Sequence, residues 1–424
     1  MNDNIATPFA KPLYVMLKPA GAHCNLACKY CYYLEKNHLY QNTPRHLMTD
    51  EMLEQFTREY IEAQTMPQVL FTWHGGEPLM RSIDFYKKAL ALQKKYAHGK
   101  QIDNVIQTNG TLLTDEWCEF FAKNHFLVGI SIDGPQEYHD HYRQTSAGKP
   151  SWEKVMHGIS LLKKHQVEWN AMAVVNAYNA EHPLEFYHFF RDNGCQYLQF
   201  TPIVERLTEH KDGRTLASLA DVSHEDNYED VGNAKKQKEN QEITIADFSV
   251  TPEQWGKFLC TIFDDWVRHD VGKIFVEIFD CTLANWVGVQ PGICAYSKEC
   301  GHAGVMEHNG DVFSCDHFVF PEYKLGNIQD KSLIDMLYGE KQQAFSRLKH
   351  TSLPRQCKEC DMEFACHGEC PKNRFDRDKY GEPGLNYLCK GYYEYYTHVA
   401  PYMDFMKREL QAQRPPANIM NVLK

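Results

Sequence analysis

The sequence predicts an α/β protein built on parallel βαβ units and followed by a cysteine-rich region. Two observations carry this. Over the first 280 residues, short apolar runs alternate with helix-length amphipathic stretches, the pattern of parallel strands joined by crossover helices. The 15 cysteines are uneven: three fall within residues 24–31 and eight within residues 294–389. The predicted strands are 13–17 (LYVML), 69–73 (VLFTW), 104–107 (NVIQ), 127–132 (LVGISI), 170–175 (NAMAVV) and 197–203 (YLQFTPI). Amphipathic helices are predicted over 50–62, 82–96, 115–123, 152–165 and 183–193, with Thr114 as the N-cap of the third. Residues 206–247 are polar, charged and without apolar periodicity, so an exposed loop or insertion is expected there, including the run Lys235-Lys236-Gln-Lys-Glu-Asn-Gln. A helix over 251–270 and an apolar run over 274–278 precede the cysteine-rich region.

Composition narrows the function classes. A chain of 424 residues with 43% hydrophobic content suggests two to three domains and a substantial core. A net charge of −11 gives no basic footprint for nucleic acid or an anionic membrane. The N-terminal residues lack a basic stretch leading into an apolar one, and no apolar run approaches a membrane span, so a cytoplasmic location is expected. In a reducing compartment, clustered cysteines read as metal ligands rather than disulfides. Cys118, Cys195, Cys260 and Cys281 are scattered and read as small core hydrophobes.

Cys24, Cys28 and Cys31 form the pattern Cys-x3-Cys-x2-Cys. Three such thiolates can hold three irons of a [4Fe-4S] cluster, and a fourth iron without a protein ligand stays open for an exchangeable one. Neither His23 nor His38 gives a familiar zinc spacing with them. The second predicted strand ends in Trp73-His74-Gly75-Gly76-Glu77-Pro78, where two glycines permit close backbone approach. The third ends in Gln107-Thr108-Asn109-Gly110. The fourth ends in Ser131-Ile132-Asp133-Gly134-Pro135, a turn signal, with Arg143 beyond. In the C-terminal region Cys357-x2-Cys360-x5-Cys366-x3-Cys370 is followed by Cys389 and preceded by Cys294-x5-Cys300 and Cys315. Eight thiolates supply two complete four-ligand sites, whereas a zinc ribbon accounts for Cys357 and Cys360 only. Asp316, directly after Cys315, is a candidate general base.

The N-terminal cysteine loop and Gly75-Gly76-Glu77-Pro78 resemble the radical S-adenosylmethionine (SAM) superfamily. The C-terminal cysteines resemble its SPASM domain. The likeness to anaerobic sulfatase-maturating enzymes extends over nearly the whole chain, through Leu17-Lys18-Pro19, Tyr32-Tyr33-Leu34-Glu35-Lys36, Thr108-Asn109-Gly110-Thr111, Gly129, Gln199-Phe200, Leu325-Gly-Asn-Ile and Leu385-Asn-Tyr-Leu-Cys389. The resemblance implies a partial (β/α)6 TIM-like barrel in residues 1–235, a connecting segment 236–290, a SPASM domain 291–395 and a helical tail 396–424. It implies SAM and three [4Fe-4S] clusters as cofactors. Cys24, Cys28 and Cys31 would hold the SAM-binding cluster. Cys294, Cys300, Cys315 and Cys370 would hold one auxiliary cluster, and Cys357, Cys360, Cys366 and Cys389 the other. Tyr30, Gly75, Gly76, Glu77, Ser131, Arg143 and Val204 would contact SAM, and Asp316 would deprotonate the substrate.

The implied reaction oxidises a Cys or Ser in a Cys/Ser-x-Pro-x-Arg segment of a sulfatase to Cα-formylglycine, with ferredoxin or flavodoxin as reductant. His74 stands where that family often has Gln, and 206–247 is longer than usual. The alternatives are a SPASM enzyme acting on another peptide and a non-catalytic iron–sulfur electron carrier. The open iron and Gly75-Gly76-Glu77-Pro78 speak against the second.

Overall fold

The computed structural model describes residues 13–33, 36, 39, 40, 47–210, 213–216 and 244–423. Its first part alternates as predicted: β1 (Tyr14–Lys18), α1 (Asp50–Ala63), β2 (Gln68–Trp73), α2 (Ile83–Tyr96), β3 (Gln101–Thr108), α3 (Asp115–Lys123), β4 (Leu127–Ser131), α4 (Gln136–Tyr142), α5 (Trp152–Lys164), β5 (Trp169–Val175), α6 (Pro183–Asp192) and β6 (Tyr197–Pro202). All six strands are parallel in the order β6-β5-β4-β3-β2-β1, the sheet of a partial (β/α)6 barrel. Capping hydroxyls start the helices where expected: Thr49 accepts from Met52 N–H at 3.2 Å and Thr114 from Trp117 N–H at 3.3 Å. Phe56, Phe71, Trp73, Tyr86 and Phe121 are fully buried between sheet and helices. Each such side chain contributes roughly 1.5–3 kcal/mol by leaving water.

Three local features differ from expectation. β3 starts at Gln101, because Gln101, Ile102 and Asp103 pair in register with Gln68, Val69 and Leu70. The polar, partly solvent-facing start of this strand hides it from an apolar count. α4 was not predicted, since QEYHDHY has no apolar stripe; buried Tyr138 and His139 hold it. Within the expected loop 206–247, β7 (Arg206–His210), β8 (Gly213–Leu216) and β9 (Thr244–Ile245) form an antiparallel sheet. The run Lys235-Lys236-Gln-Lys-Glu-Asn-Gln lies outside the described residues.

α7 (Pro252–His269) opens on a reciprocal capping box between Thr251 and Gln254. The apolar run 274–278 divides between β10 (Phe275–Val276), which extends the sheet beside β6, and the start of α8 (Glu277–Val287). On the opposite edge, β11 (Ala303–Glu307) pairs parallel to β1, from Tyr14 opposite Ala303 to Lys18 opposite Glu307. β12 (Asp311–Phe313) and β13 (Lys324–Asn327) follow antiparallel. One sheet therefore runs from the barrel into the cysteine-rich region. That region continues through α9 (Leu333–Leu337), α10 (Glu340–Thr351), α11 (Arg355–Lys358), α12 (Glu363–Cys366) and α13 (Cys389–Gln411). α13 begins at Cys389, ahead of the boundary expected at 396, and packs on α7 through Trp255 and Tyr392, ring centres 5.9 Å apart. Cys118, Cys195 and Cys281 are buried as expected, while Cys260 is only partly so. No helix among the described residues is long and apolar enough to cross a membrane.

Candidate active site

The C-terminal ends of the parallel strands bring the predicted motifs together. The cysteine loop leaves β1 and folds back over the turn after β2: Gly76 N–H donates to Gly21 O and Glu77 N–H to His23 O, both at 2.8 Å. This contact explains the two glycines. Gly75 has φ +129°, and a Cβ on it would stand 2.8 Å from Gly21 O; one on Gly76 would stand 2.3 Å from His23 O. The close approach is by the protein's own cysteine loop. Glu77, fully buried, accepts from Leu79 N–H (2.9 Å), Thr108 hydroxyl (2.7 Å) and Asn109 N–H (2.8 Å), tying the ends of β2 and β3 together. Burial pushes its carboxyl up to about 7. Asn109 reaches Cys24 Sγ at 3.7 Å and Asn25 Oδ1 at 2.9 Å.

On the other side of the loop Asp133 is buried after β4. It accepts from Tyr30 hydroxyl and Val174 N–H (3.0 Å) and pairs with Arg143 Nε at 2.9 Å. Ser131 Oγ accepts from Gln107 Nε2 at 2.9 Å. Val204 is buried beyond β6, and its carbonyl accepts from Lys372 at 3.4 Å. The Cys24 and Cys28 thiols are pushed up to about 12, first by burial; Glu77 adds to the rise at Cys24, and Arg143 opposes it at Cys28. Cys31 lies near enough to repel charge on both.

The eight C-terminal thiols gather in two groups. Cys315, raised first by burial, is raised further by Cys294, Cys370 and Cys300. Cys366, also buried, is raised further by Cys389 and Cys357, and Cys389 by Cys360. Soft sulfur donors in sets of three, four and four fit iron–sulfur cubanes, and buried protonated thiols would release protons on taking up metal.

Asp316 connects the regions. Its carboxylate pairs with Lys18 Nζ at 2.5 Å and accepts from Tyr32 hydroxyl at 2.6 Å. Lys18 ends β1 and is fully buried, whereas the Asp316 side chain keeps 16% of its surface exposed and so has access from outside. Burial alone would raise the Asp316 carboxyl, but Lys18, His74 and His317 hold it below the usual carboxylate range. Burial, then the Lys18 charge, pushes the His74 imidazole down to about 3. It is therefore neutral, and since Nδ1 accepts from Gly75 N–H (2.7 Å) and faces Lys18 Nζ (3.2 Å), its proton sits on Nε2. His317 Nδ1 lies 3.6 Å from Cys370 Sγ, and its ring stands edge-on to Tyr32 at 5.4 Å.

Family models match in two places: that of the Radical SAM superfamily over residues 19–190, and that of an iron–sulfur cluster-binding domain, SPASM, over residues 299–361. Across all 424 residues the chain is 67% identical to the serine-type anaerobic sulfatase-maturating enzyme of Bacteroides thetaiotaomicron, covering 98% of that protein. The chain belongs to the anaerobic sulfatase-maturating enzymes. The cysteine-type enzyme of Clostridium perfringens is 29% identical over 393 residues, 92% of this chain and 97% of that one. A solved structure of native anSMEcpe with bound AdoMet superposes with a TM-score of 0.78 at 29% identity, covering 94% of this chain and all of that one. The fold is thus a radical SAM partial barrel followed by a SPASM domain, and membership of this family implies SAM and iron–sulfur clusters.

Sequence reasoning about this sulfatase-maturating enzyme missed four groups that build the site: Lys18, Tyr32, Asp133 and His317. A lysine closing an otherwise apolar strand was a usable signal for Lys18, because a buried ammonium requires a partner. Tyr32 and His317 sit beside a cysteine motif, but only the fold shows that they face each other. Asp133 read as a turn residue; its ion pair with Arg143 depends on α4.

Proposed function

We propose that this enzyme oxidises a serine in a Ser-x-Pro-x-Arg segment of a sulfatase to Cα-formylglycine, with cysteine accepted in the same place. The observation that carries this reading is the geometry of Asp316. Its carboxylate is held between Lys18 and Tyr32 beside the N-terminal cysteine loop, and its neighbour Cys315 belongs to the first C-terminal thiol group. The 67% identity to a serine-type enzyme supports serine as the main substrate.

In this reading Cys24, Cys28 and Cys31 hold the SAM-binding [4Fe-4S] cluster, and the two C-terminal quartets hold one auxiliary cluster each. When bound, SAM and the clusters supply a 5′-deoxyadenosyl radical for hydrogen abstraction at the substrate Cβ, and acceptors for the electron left behind. The chain's own residues orient and deprotonate. Asp316, held ionised by Lys18, takes the hydroxyl or thiol proton, with the neutral His74 behind the Lys18 contact. Tyr30, Gly75, Gly76, Glu77, Ser131, Arg143 and Val204 surround SAM. Of these, Glu77 and the Arg143–Asp133 pair act chiefly by fixing the loop, since their polar groups are engaged within the protein. A cytoplasmic setting, with ferredoxin or flavodoxin as reductant, fits 15 thiols without a disulfide.

The test is anaerobic: reconstituted, reduced enzyme, SAM, and paired peptides that differ only as Ser-x-Pro-x-Arg and Cys-x-Pro-x-Arg. A mass loss of about 2 Da from the serine peptide, or about 18 Da from the cysteine peptide, reports the aldehyde formed after proton removal. Faster turnover of the serine peptide is expected. Deoxyadenosine released with both peptides unchanged would reject the substrate.

A further inference from the structure

Two buried cations border the first C-terminal thiol group. Lys349, on α10, is fully buried and donates to the carbonyls of Cys294, Ala295 (2.6 Å) and Ser297 (2.5 Å). Arg374, 7% exposed, donates to the carbonyls of Gly368 (2.8 Å), Lys349 (2.5 Å), His367 (2.7 Å) and Glu369 (3.0 Å). Neither has a carboxylate in ion-pair contact among the described residues. A buried charge without such a partner is costly, so the arrangement calls for a negative group nearby. Two kinds of negative group are at hand: Glu369, a buried carboxylate whose charge both cations favour, and the thiols, where Lys349 acts on Cys294, Cys300 and Cys370, and Arg374 on Cys300 and, across the divide, on Cys357. Glu369 lies near Cys294 and Cys370, and also near Cys366, and offsets one of the two cations, which leaves one positive charge over beside the first group. Around the second group, Arg374 apart, the charges have the other sign: Asp361 Oδ1 lies 3.9 Å from Cys360 Sγ, with Glu363 close by, and Asp376 lies near Cys389.

We propose that Lys349 sets the reduction potential of the cluster held by Cys294, Cys300, Cys315 and Cys370, keeping it above that of the cluster held by Cys357, Cys360, Cys366 and Cys389, while Arg374 raises both. A thiolate-ligated cubane is an anion, and taking up one electron adds one negative charge. A fixed cation in a low-dielectric surround stabilises the reduced form more than the oxidised form. The one electron lost by the substrate as its Cβ radical becomes the carbonyl carbon thus meets the better acceptor at the quartet that contains Cys315, next to Asp316. Lys349 and Arg374 are positioning residues for charge and touch no substrate.

This inference rests on the ligand sets proposed above, and the experiment separates the two. Full-length protein lacking the SAM-binding cluster (Cys24, Cys28 and Cys31 each replaced by Ala) is reconstituted, its iron counted, and each auxiliary cluster followed by EPR during anaerobic redox titration, with C366A assigning the signals. Iron short of two auxiliary clusters in this background would refute the ligand sets themselves. With both present, K349Q should shift the midpoint of the Cys315 cluster to more negative potential and leave the other in place. K349R should leave both in place, and R374Q should lower both. An unshifted K349Q, or equal shifts of both clusters in K349Q, would overturn the proposal. If K349Q fails to assemble its cluster, K349M, which keeps the length and removes the charge, decides: a negative shift confined to the Cys315 cluster supports the proposal, and an unchanged midpoint or equal shifts of both clusters overturn it.

Discussion

Asp316 is held on two sides and still reached from outside. Lys18 and Tyr32 occupy both carboxylate oxygens, yet the side chain keeps contact with the outside. Asp316→Asn preserves size and loses the ability to accept a proton. It should therefore release deoxyadenosine at near the normal rate while aldehyde yield falls by about 10²–10⁴, the usual worth of a general base; equal yields of aldehyde in the two proteins would remove Asp316 from the chemistry. His139 gives a separate test at the same scale. It is buried, accepts from Asp133 N–H at 3.3 Å through Nδ1 and meets Ser151 Oγ at 2.9 Å through Nε2, while Ser151 donates to Arg143 O. Burial, then Arg143, pushes it down to about 4. An unfolded histidine titrates near 6.5, so between those values the unfolded chain binds the extra proton. Stability should be fully present above about pH 6.5 and fall by on the order of 2–3 kcal/mol as pH drops toward 4. His139→Asn should show a flatter slope over that window in denaturant melts, and an identical slope would exclude His139 as its source.

Among the elements, the loop after β1 and the turn after β2 depend on each other. Gly76→Ala would drive a methyl group into His23 O, and the stiff pairing of β1 and β2 leaves the cysteine loop as the part that must move. On the three-cluster reading proposed above, loss of one cluster's worth of iron, roughly four atoms of about twelve, is expected, with the auxiliary clusters retained and SAM cleavage abolished. A full iron complement in this variant would mean that the loop tolerates the displacement. The helices show how much was legible at this scale. Apolar periodicity located α1, α3 and α7, and the Thr114 cap supported α3, because both signals are local. α4 carries neither, and its place is set by the burial of Tyr138 and His139 under neighbouring elements. The run 274–278 was ambiguous between strand and helix by length alone, and pairing with the exposed edge of β6 decided that only Phe275 and Val276 join the sheet.

Across the molecule, the ten-stranded sheet makes barrel and cysteine-rich region one cooperative structure. β11 pairs along the full length of β1, and α13 lies against α7. Cys366→Ala should therefore lower the unfolding temperature of the barrel as well as that of the C-terminal region, as a single shifted transition in anaerobic calorimetry. Two separate transitions, with the barrel unmoved, would show that the shared sheet does not couple them.

The sequence by itself determined the residue types available: three closely spaced thiols, eight more toward the C-terminal end, a Gly-Gly-Glu-Pro turn, and alternating strands and helices. These are matters of residue type, spacing and period, which a short stretch of chain carries in full. Tertiary structure alone decided what those groups face. Tyr32 and Asp316 meet across 284 positions of sequence because β11 docks beside β1. Lys18 becomes the partner of Asp316 for the same reason, and Gly75 and Gly76 answer to a loop that precedes them by some fifty residues. Such contacts follow from the pairing of distant strands, whose partners are chosen by burial and register over the whole sheet.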